Sequence, residues 1–320
     1  MLAITRPFHR NSLSCSQYGD LVQNGLRVVG TCLAVMRTAH TSRCVLVRIR
    51  ISWRILMELN YRTAGAGAES EPVLLIHGGA EDADLLTPQA EAIAAQSRRV
   101  IWYDRRGTGR SPRTDWPGSG ADQHADDAAE LLQQVADRPA QILGFSSGGV
   151  IALALAARHP EVVAEAVAWE PPVMTVLPDG LTMHEGIMAP VEAYLTEHPA
   201  DWEGACVVLL AALSDGAADP ESPQVRRFLR NAEAMVRDDG QLITRREFTS
   251  HDLRAARVTI ATSKATAPFL AAIAQRLATL ANTEVEHVPE ATDHEVYLTD
   301  PEVFARWLRP PRRTQSGRTG

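Results

Sequence analysis

The sequence predicts an α/β protein built on a mostly parallel sheet with helices on both faces, plus a helical cap. Three observations carry this. From Met57 onward, short apolar runs of strand length alternate with longer stretches whose apolar residues recur at helical spacing. That rhythm breaks once, over residues 171–255, where helical patterns follow one another with no convincing strand. Finally, "QILGFSSGGVIAL" at 141–153 passes from strand to helix through a glycine-rich turn, as parallel strands joined by helical crossovers do.

The elements follow in order. "VLLIH" (73–77) is a strand, and a helix runs from about Leu85 to Gln96. "RVIWYD" (99–104) leads to a helix over about Asp122–Ala136. "AQILGF" is next, then a helix in which Val150, Ile151, Leu153, Ala154 and Ala157 share a face. "AEAVAWE" (164–170) is the strand that precedes the interruption, whose helical pieces include "MAPVEAYLTEH" and "SPQVRRFLRNAEAMVRD". An insertion there sits over the carboxyl ends of the strands, where open α/β sheets bind ligands, and so reads as a cap. "RVTIAT" (257–262), "APFLAAIAQRLATLA", "TEVEHVP" (283–289) and "PEVFARWL" resume the alternation. The expected organisation is an N-terminal extension over 1–56, a core over 57–170 and 256–309, a cap over 171–255 and a disordered tail over 310–320.

Composition bounds the function. The chain has 320 residues, enough for a substantial core, and no apolar run approaches the roughly 18 residues of a membrane span. Residues 1–56 carry eight arginines against one acid, Asp20, which leaves −14 on the remainder of a chain of net charge −7. An acidic body disfavours nucleic acid and anionic lipid as partners. Cys15, Cys32, Cys44 and Cys206 show no C-x-x-C pair and no ligand-like spacing with histidine, so no structural zinc, no cofactor and a reduced, cytoplasmic compartment are expected. The basic first segment has the composition of a transit peptide or of a translated leader, with Met57 a plausible start; within it "CVLVRIRI" could add an edge strand.

"GFSSG" fits G-x-S-x-G with Gly144, Ser146 and Gly148 at the fixed positions, which makes Ser146 the candidate nucleophile. The pattern has a steric reason: the serine occupies a strained turn, and side chains two residues away on either side would collide with neighbouring elements. Ser147 would contribute its backbone N–H, at the start of the helix, to an oxyanion hole.

Four signatures in order, "HGG" (77–79), "YDRRGTGRSP" (103–112), "GFSSGG" and "DHEVYLTDPEVFARWL", make the stretch from about Met57 to Leu308 resemble an α/β-hydrolase. The resemblance implies a serine hydrolase working through an acyl-enzyme on a small-molecule substrate. It implies His294 as the base, a second oxyanion donor at Gly79 or Ala80, and a structural role for His77 and for Asp104, Arg105 and Arg106, with aspartate and arginine pairing inside the loop. His124, His159, His184 and His198 are expected to face solvent. The third triad member departs from the pattern, because "SKATAP" follows "RVTIAT" without a carboxylate. Glu170, in "AWEPP", is the favoured substitute, with Asp293, Asp252 or no acid as alternatives. Trp169, Met174 and Met188 are candidates for a partly apolar substrate pocket. A ligand-binding or degenerate member of the fold, and a peptidase similar to proline iminopeptidases, are the competing functions. Oligomeric state is not legible.

Overall fold

Runs that are apolar at every position need cover on both faces, and the central strands have it. In the computed structural model, which describes residues 59–65, 71–214 and 216–308 together with four short N-terminal strands, seven strands form one sheet. They are β1 (Tyr61–Ala64), β2 (Val73–Ile76), β3 (Val100–Tyr103), β4 (Ala140–Phe145), β5 (Val163–Trp169), β6 (Val258–Thr262) and β7 (Val285–His287). Their order is β7-β6-β5-β4-β2-β3-β1. All pairings are parallel except that of β1, which runs antiparallel to β3 at the edge. Strand β1 has no counterpart among the predicted elements, because an exposed edge needs no apolar run: its residues alternate between exposed and half-buried.

The described part of the N-terminal segment forms two separate antiparallel pairs. Val28–Val29 pairs with Arg54–Ile55, and Val35–Arg37 pairs with Cys44–Leu46. Of "CVLVRIRI", Cys44–Leu46 pairs with Val35–Arg37, and residues 47–51 lie outside the described residues. The expected tail 310–320, and any leader role for 1–56, lie outside the described residues.

Helix α1 (Ala83–Ala94) connects β2 to β3, α2 (Ala121–Val135) connects β3 to β4, and α3 (Ser147–Arg158) connects β4 to β5. After β6 comes α7 (Pro268–Ala281), and α8 (Glu302–Trp307) closes the described chain. From the adjacent strands β2 and β4 the chain departs toward opposite edges of the sheet. With right-handed crossovers this puts α1 and α3 on opposite faces and opens a crevice at the strands' carboxyl ends. Alternate strand residues Val73, Leu75, Leu143, Phe145, Val167 and Trp169 pack against α1 and α8 through Leu86, Ile93, Val303 and Phe304.

Between β5 and β6 lie α4 (Gly180–Glu197), α5 (Trp202–Leu213), α6 (Pro223–Phe228) and a π-helical turn, Met235–Gly240; no strand occurs here among the described residues. Helices α4 and α5 enclose their own small core of Met188, Val191, Cys206 and Leu209. The π-helical turn is fastened to the sheet side by buried polar pairs. Asp239 takes two hydrogen bonds from Arg105, at 2.9 and 3.1 Å, and Asp238 lies 2.7 Å from both His124 Nε2 and Trp116 Nε1.

These contacts correct two expectations. Arg105 and Arg106 do not pair with Asp104; Arg106 binds Asp127 on α2, while Asp104 accepts the backbone N–H groups of Ala83 and Arg110. Asp104, Arg105 and Arg106 are buried, and each buried charge needs a partner, which stitches the loop to its neighbours. His124 and His184 do not face solvent either: both are buried, the first against Asp238 and the second with Nε2 2.6 Å from the Gly240 carbonyl. Their partners come from a distant stretch, so local sequence could not show them.

Helix α3 approaches the sheet so closely that a Cβ on Gly148 would stand 2.3 Å from Ile76 O, and one on Gly144 would stand 2.1 Å from Gly148 O. Backbone carbonyls cannot step aside. Gly148→Ala is therefore expected to cost about 1–3 kcal/mol or more, a fall in Tm of about 2–12 °C for a domain of this size. Thermal unfolding followed by circular dichroism measures it, and an unchanged Tm would show that α3 does not bear on β2.

Candidate active site

Strand register assembles the site. Gly144 of β4 pairs with Ile76 of β2 and Ala168 of β5, and Phe145 pairs with Trp169. The residues just past these strands, His77–Gly79, Ser146 and Glu170, therefore emerge side by side. Two backbone bonds extend the alignment: Ser146 N–H donates to Trp169 O and Glu170 N–H to Ala261 O, both at 2.9 Å. Ser146 has φ 52° and Glu170 φ 41°, in the left-handed region. For non-glycine residues this costs about 1–3 kcal/mol each, and it turns both side chains away from the strand direction. Ser146 is half-buried.

His294 follows β7 by a loop whose Val288 and Ala291 are fully buried. Its Nδ1 lies 2.6 Å from Glu170 Oε2, and its backbone carbonyl accepts a 2.9 Å hydrogen bond from Trp169 Nε1. Trp169, the last residue of β5, and Glu170, just past it, thus hold the main chain and the ring of His294. The other carboxylate oxygen of Glu170 accepts from the Ser263 N–H at 2.8 Å and the Thr266 hydroxyl at 2.5 Å. Burial alone would raise the Glu170 pKa, but the bonds from His294, Thr266 and Ser263 outweigh it and hold it at about 2. "SKATAP", which lacks a carboxylate of its own, supplies the donors for one that arrives from β5. The competing acids are occupied elsewhere: Asp293 accepts from Thr292 and the Glu295 N–H, and Asp252 from Thr249.

Beside Ser146 runs the turn after β2. His77 is completely buried; the Arg105 backbone N lies 3.1 Å from its Nε2, and its Nδ1 lies 2.8 Å from Gly78 O and 3.3 Å from Arg105 Nε. Burial first, and the Arg105 charge second, push its pKa well below the usual imidazole range, so the ring is neutral. Among the described residues no acceptor takes the N–H of Gly79 or Ala80, nor that of Ser147, which as the first residue of α3 has no intrahelical partner.

Two residues that the sequence does not single out brace this turn. Glu81 is buried, accepting the Gly78 N–H at 2.9 Å and the Tyr297 hydroxyl at 2.5 Å. Burial raises its pKa to about 7 against the lowering effect of those two bonds. The available signal is thin: an acid two residues beyond "HGG", and a tyrosine three beyond His294.

The expected pocket residues are placed differently. Trp169, Met188 and Met174 are 0, 2 and 4% exposed. Trp169 stands edge-on to Phe304 in the sheet core, and Met188 fills the α4–α5 core. They pack the protein instead of presenting surface to a ligand, because each apolar position falls on an inward face of its own element. Met235, in contrast, is half-buried with its sulfur against Gly79, 2.7 Å from where a Cβ would stand. Among the described residues no cluster of His, Cys, Asp and Glu could hold a metal ion, and no helix is long and apolar enough to cross a membrane.

Comparison with known proteins places this geometry in a wider set. The family described as alpha/beta hydrolase fold matches residues 71–190. The uncharacterized hydrolase YraK of Bacillus subtilis is 38% identical over 120 residues, 37% of this chain and 43% of YraK. A putative carbamate hydrolase, RutD, of Variovorax paradoxus is 37% identical over 119 residues, 36% of this chain and 44% of RutD. The matched segments thus span less than half the length of these relatives. Among solved structures, Est816, described as an N-acyl homoserine lactone degrading enzyme, superposes with a TM-score of 0.60 at 21% identity, covering 79% of this chain and 96% of its own. A bromoperoxidase from Bacillus anthracis does so with a TM-score of 0.59 at 20% identity, covering 77% and 92%.

The Glu81 brace gives a pH signature. A carboxyl whose folded pKa of about 7 exceeds its ordinary value of 4.5 contributes stability that is complete below pH 4.5 and lost as the pH rises through 7. Glu81→Gln cannot titrate. Its stability relative to the natural protein is expected to rise between pH 4.5 and 8 by on the order of 3 kcal/mol. Urea unfolding of both at pH 5 and pH 8 measures this, and parallel pH dependences would contradict it.

Proposed function

We propose that this chain, which has the α/β-hydrolase fold, is a serine hydrolase that acts on an ester or related acyl bond of a small, partly apolar molecule. The observation that carries the reading is the 2.6 Å contact between Glu170 and His294, beside the strained turn that presents Ser146. Glu170 accepts a hydrogen bond from the Nδ1–H of His294, which keeps the proton on that nitrogen and leaves Nε2 free to act as a base. Ser146 Oγ attacks the substrate carbonyl while Nε2 takes its proton. The oxygen that becomes negative is received by the N–H groups of Ser147 and Gly79, donors already fixed before charge develops. Collapse of the tetrahedral intermediate expels the leaving group, to which His294 returns the proton. Water, deprotonated by the same imidazole, then releases the acyl group from Ser146.

The helical stretch over 171–255 serves in this reading as a cap, with Met235 among its contacts with the oxyanion turn. Lactone and carbamate substrates, which appear in the names of Est816 and RutD, fall in the same acyl class. The alternative of a ligand-binding member with little turnover rests on the missing carboxylate after β6; the contact of Glu170 with His294 supports the hydrolase reading over it.

A fluorophosphonate probe is expected to label Ser146, and labelling should vanish in Ser146→Ala and in His294→Ala. Hydrolysis of p-nitrophenyl acetate by Ser146→Ala should fall by at least about 10⁴-fold. Retained turnover in that variant would count against the assignment.

A further inference from the structure

We propose that Arg105 is a positioning residue for the oxyanion hole: it holds the Gly78 carbonyl while anchored on Asp239, and thereby aims the Gly79 N–H at the developing charge. This rests on the serine-hydrolase reading and on Gly79 as a donor.

The argument begins with the peptide plane. The carbonyl of Gly78 and the N–H of Gly79 belong to one planar unit and point in opposite directions, so whatever fixes one fixes the other. Gly78 O accepts a hydrogen bond from Arg105 Nη2 at 3.0 Å and lies 2.8 Å from His77 Nδ1. On the preceding plane, Gly78 N–H is held by Glu81 at 2.9 Å. A glycine pair would otherwise be the most mobile backbone in the site. Here both planes that flank Gly78 are pinned, and the Gly79 N–H is left without an acceptor among the described residues.

Arginine suits the task for a reason of shape. Nη1 donates to Asp239 Oδ1 at 2.9 Å, and Nη2 donates to Asp239 Oδ2 at 3.1 Å as well as to Gly78 O. A planar fork can satisfy a carboxylate and a carbonyl together, whereas an ammonium is a point charge. The guanidinium is 1% exposed, and its pKa is raised because the Asp239 carboxylate outweighs the cost of burial. A charge-assisted bond to the carbonyl also polarises the peptide, which strengthens its N–H as a donor. Asp239 belongs to the π-helical turn whose Met235 lies over Gly79, so the same turn both anchors Arg105 and packs against the loop.

The test uses two variants. Arg105→Met with Asp239→Leu removes both charges together, which avoids stranding either one in the interior. Arg105→Lys keeps the charge but not the fork. For each, kcat and KM on p-nitrophenyl acetate are measured with inhibition by phenylboronic acid, whose tetrahedral adduct on Ser146 places an oxygen in the hole. Loss of one direct oxyanion donor costs about 10²–10³ in kcat, so a donor that is merely misaimed should cost about 10–100-fold. KM should stay within about threefold and boronate inhibition should weaken in step with kcat, a split that a general loss of packing would not produce. Should the double variant fail to fold, Arg105→Lys decides. A folded variant with kcat and boronate inhibition within about twofold of the natural protein, or a loss carried by KM alone, overturns the proposal. If the natural protein neither turns over the ester nor reacts with the fluorophosphonate, the hydrolase reading falls and this inference falls with it; if it does both and the variants match it, only the role of Arg105 is lost.

Discussion

One hydrogen bond, from His294 to Glu170, joins parts of the chain 124 positions apart, and the geometry around Ser146 is arranged to make it. A carboxylate with no exposed surface is expensive unless its oxygens are satisfied, and those of Glu170 are: one by the imidazole, the other by a backbone N–H and a hydroxyl. This explains why Glu170 tolerates a left-handed backbone, since the conformation turns its carboxylate toward both partners at the sheet's end. Its neighbour Trp169 completes the device by holding the carbonyl of His294. The end of β5 and the residue after it therefore fix the histidine at two points.

The turn after β2 follows the same logic. Three buried ionisable groups, His77, Glu81 and Arg105, converge on the single residue Gly78, and each contact is a hydrogen bond to its backbone. A side chain at 79 would crowd the Met235 sulfur, which lies 2.7 Å from where its Cβ would stand. The inserted helices between β5 and β6 thus do more than cover the crevice: their π-helical turn reaches the turn that faces Ser146.

How much of this was legible in the sequence follows from how local each cause is. The strands between β2 and β6, and helices α1 to α3, announce themselves because both faces of a parallel sheet are buried, and apolar runs are a local signal. Strand β1 hides because an edge needs no such run. Gly144, Ser146 and Gly148 are legible because the crowding of α3 on β2 dictates glycine at fixed spacing. Glu170 could be nominated from its place at the end of β5, but its rivals Asp293 and Asp252 are set aside only when their own hydrogen bonds are seen. Arg105 and Asp239 lie 134 positions apart, and nothing in either stretch advertises the other. Trp169 shows the reverse error: an aromatic residue beside the site reads as pocket, yet its ring belongs to the core and only its indole N–H serves the site.

The central claim is that a carboxylate at position 170 holds His294 as a competent base for Ser146. The most direct measurement is the kcat of Glu170→Gln on an activated ester, with circular dichroism and Tm recorded on the same preparation. An amide of equal size can hydrogen-bond to either imidazole tautomer and carries no charge to stabilise the imidazolium, so kcat should fall by on the order of 10³–10⁴-fold in a folded protein. A folded Glu170→Gln that keeps kcat within about threefold of the natural protein would contradict the account.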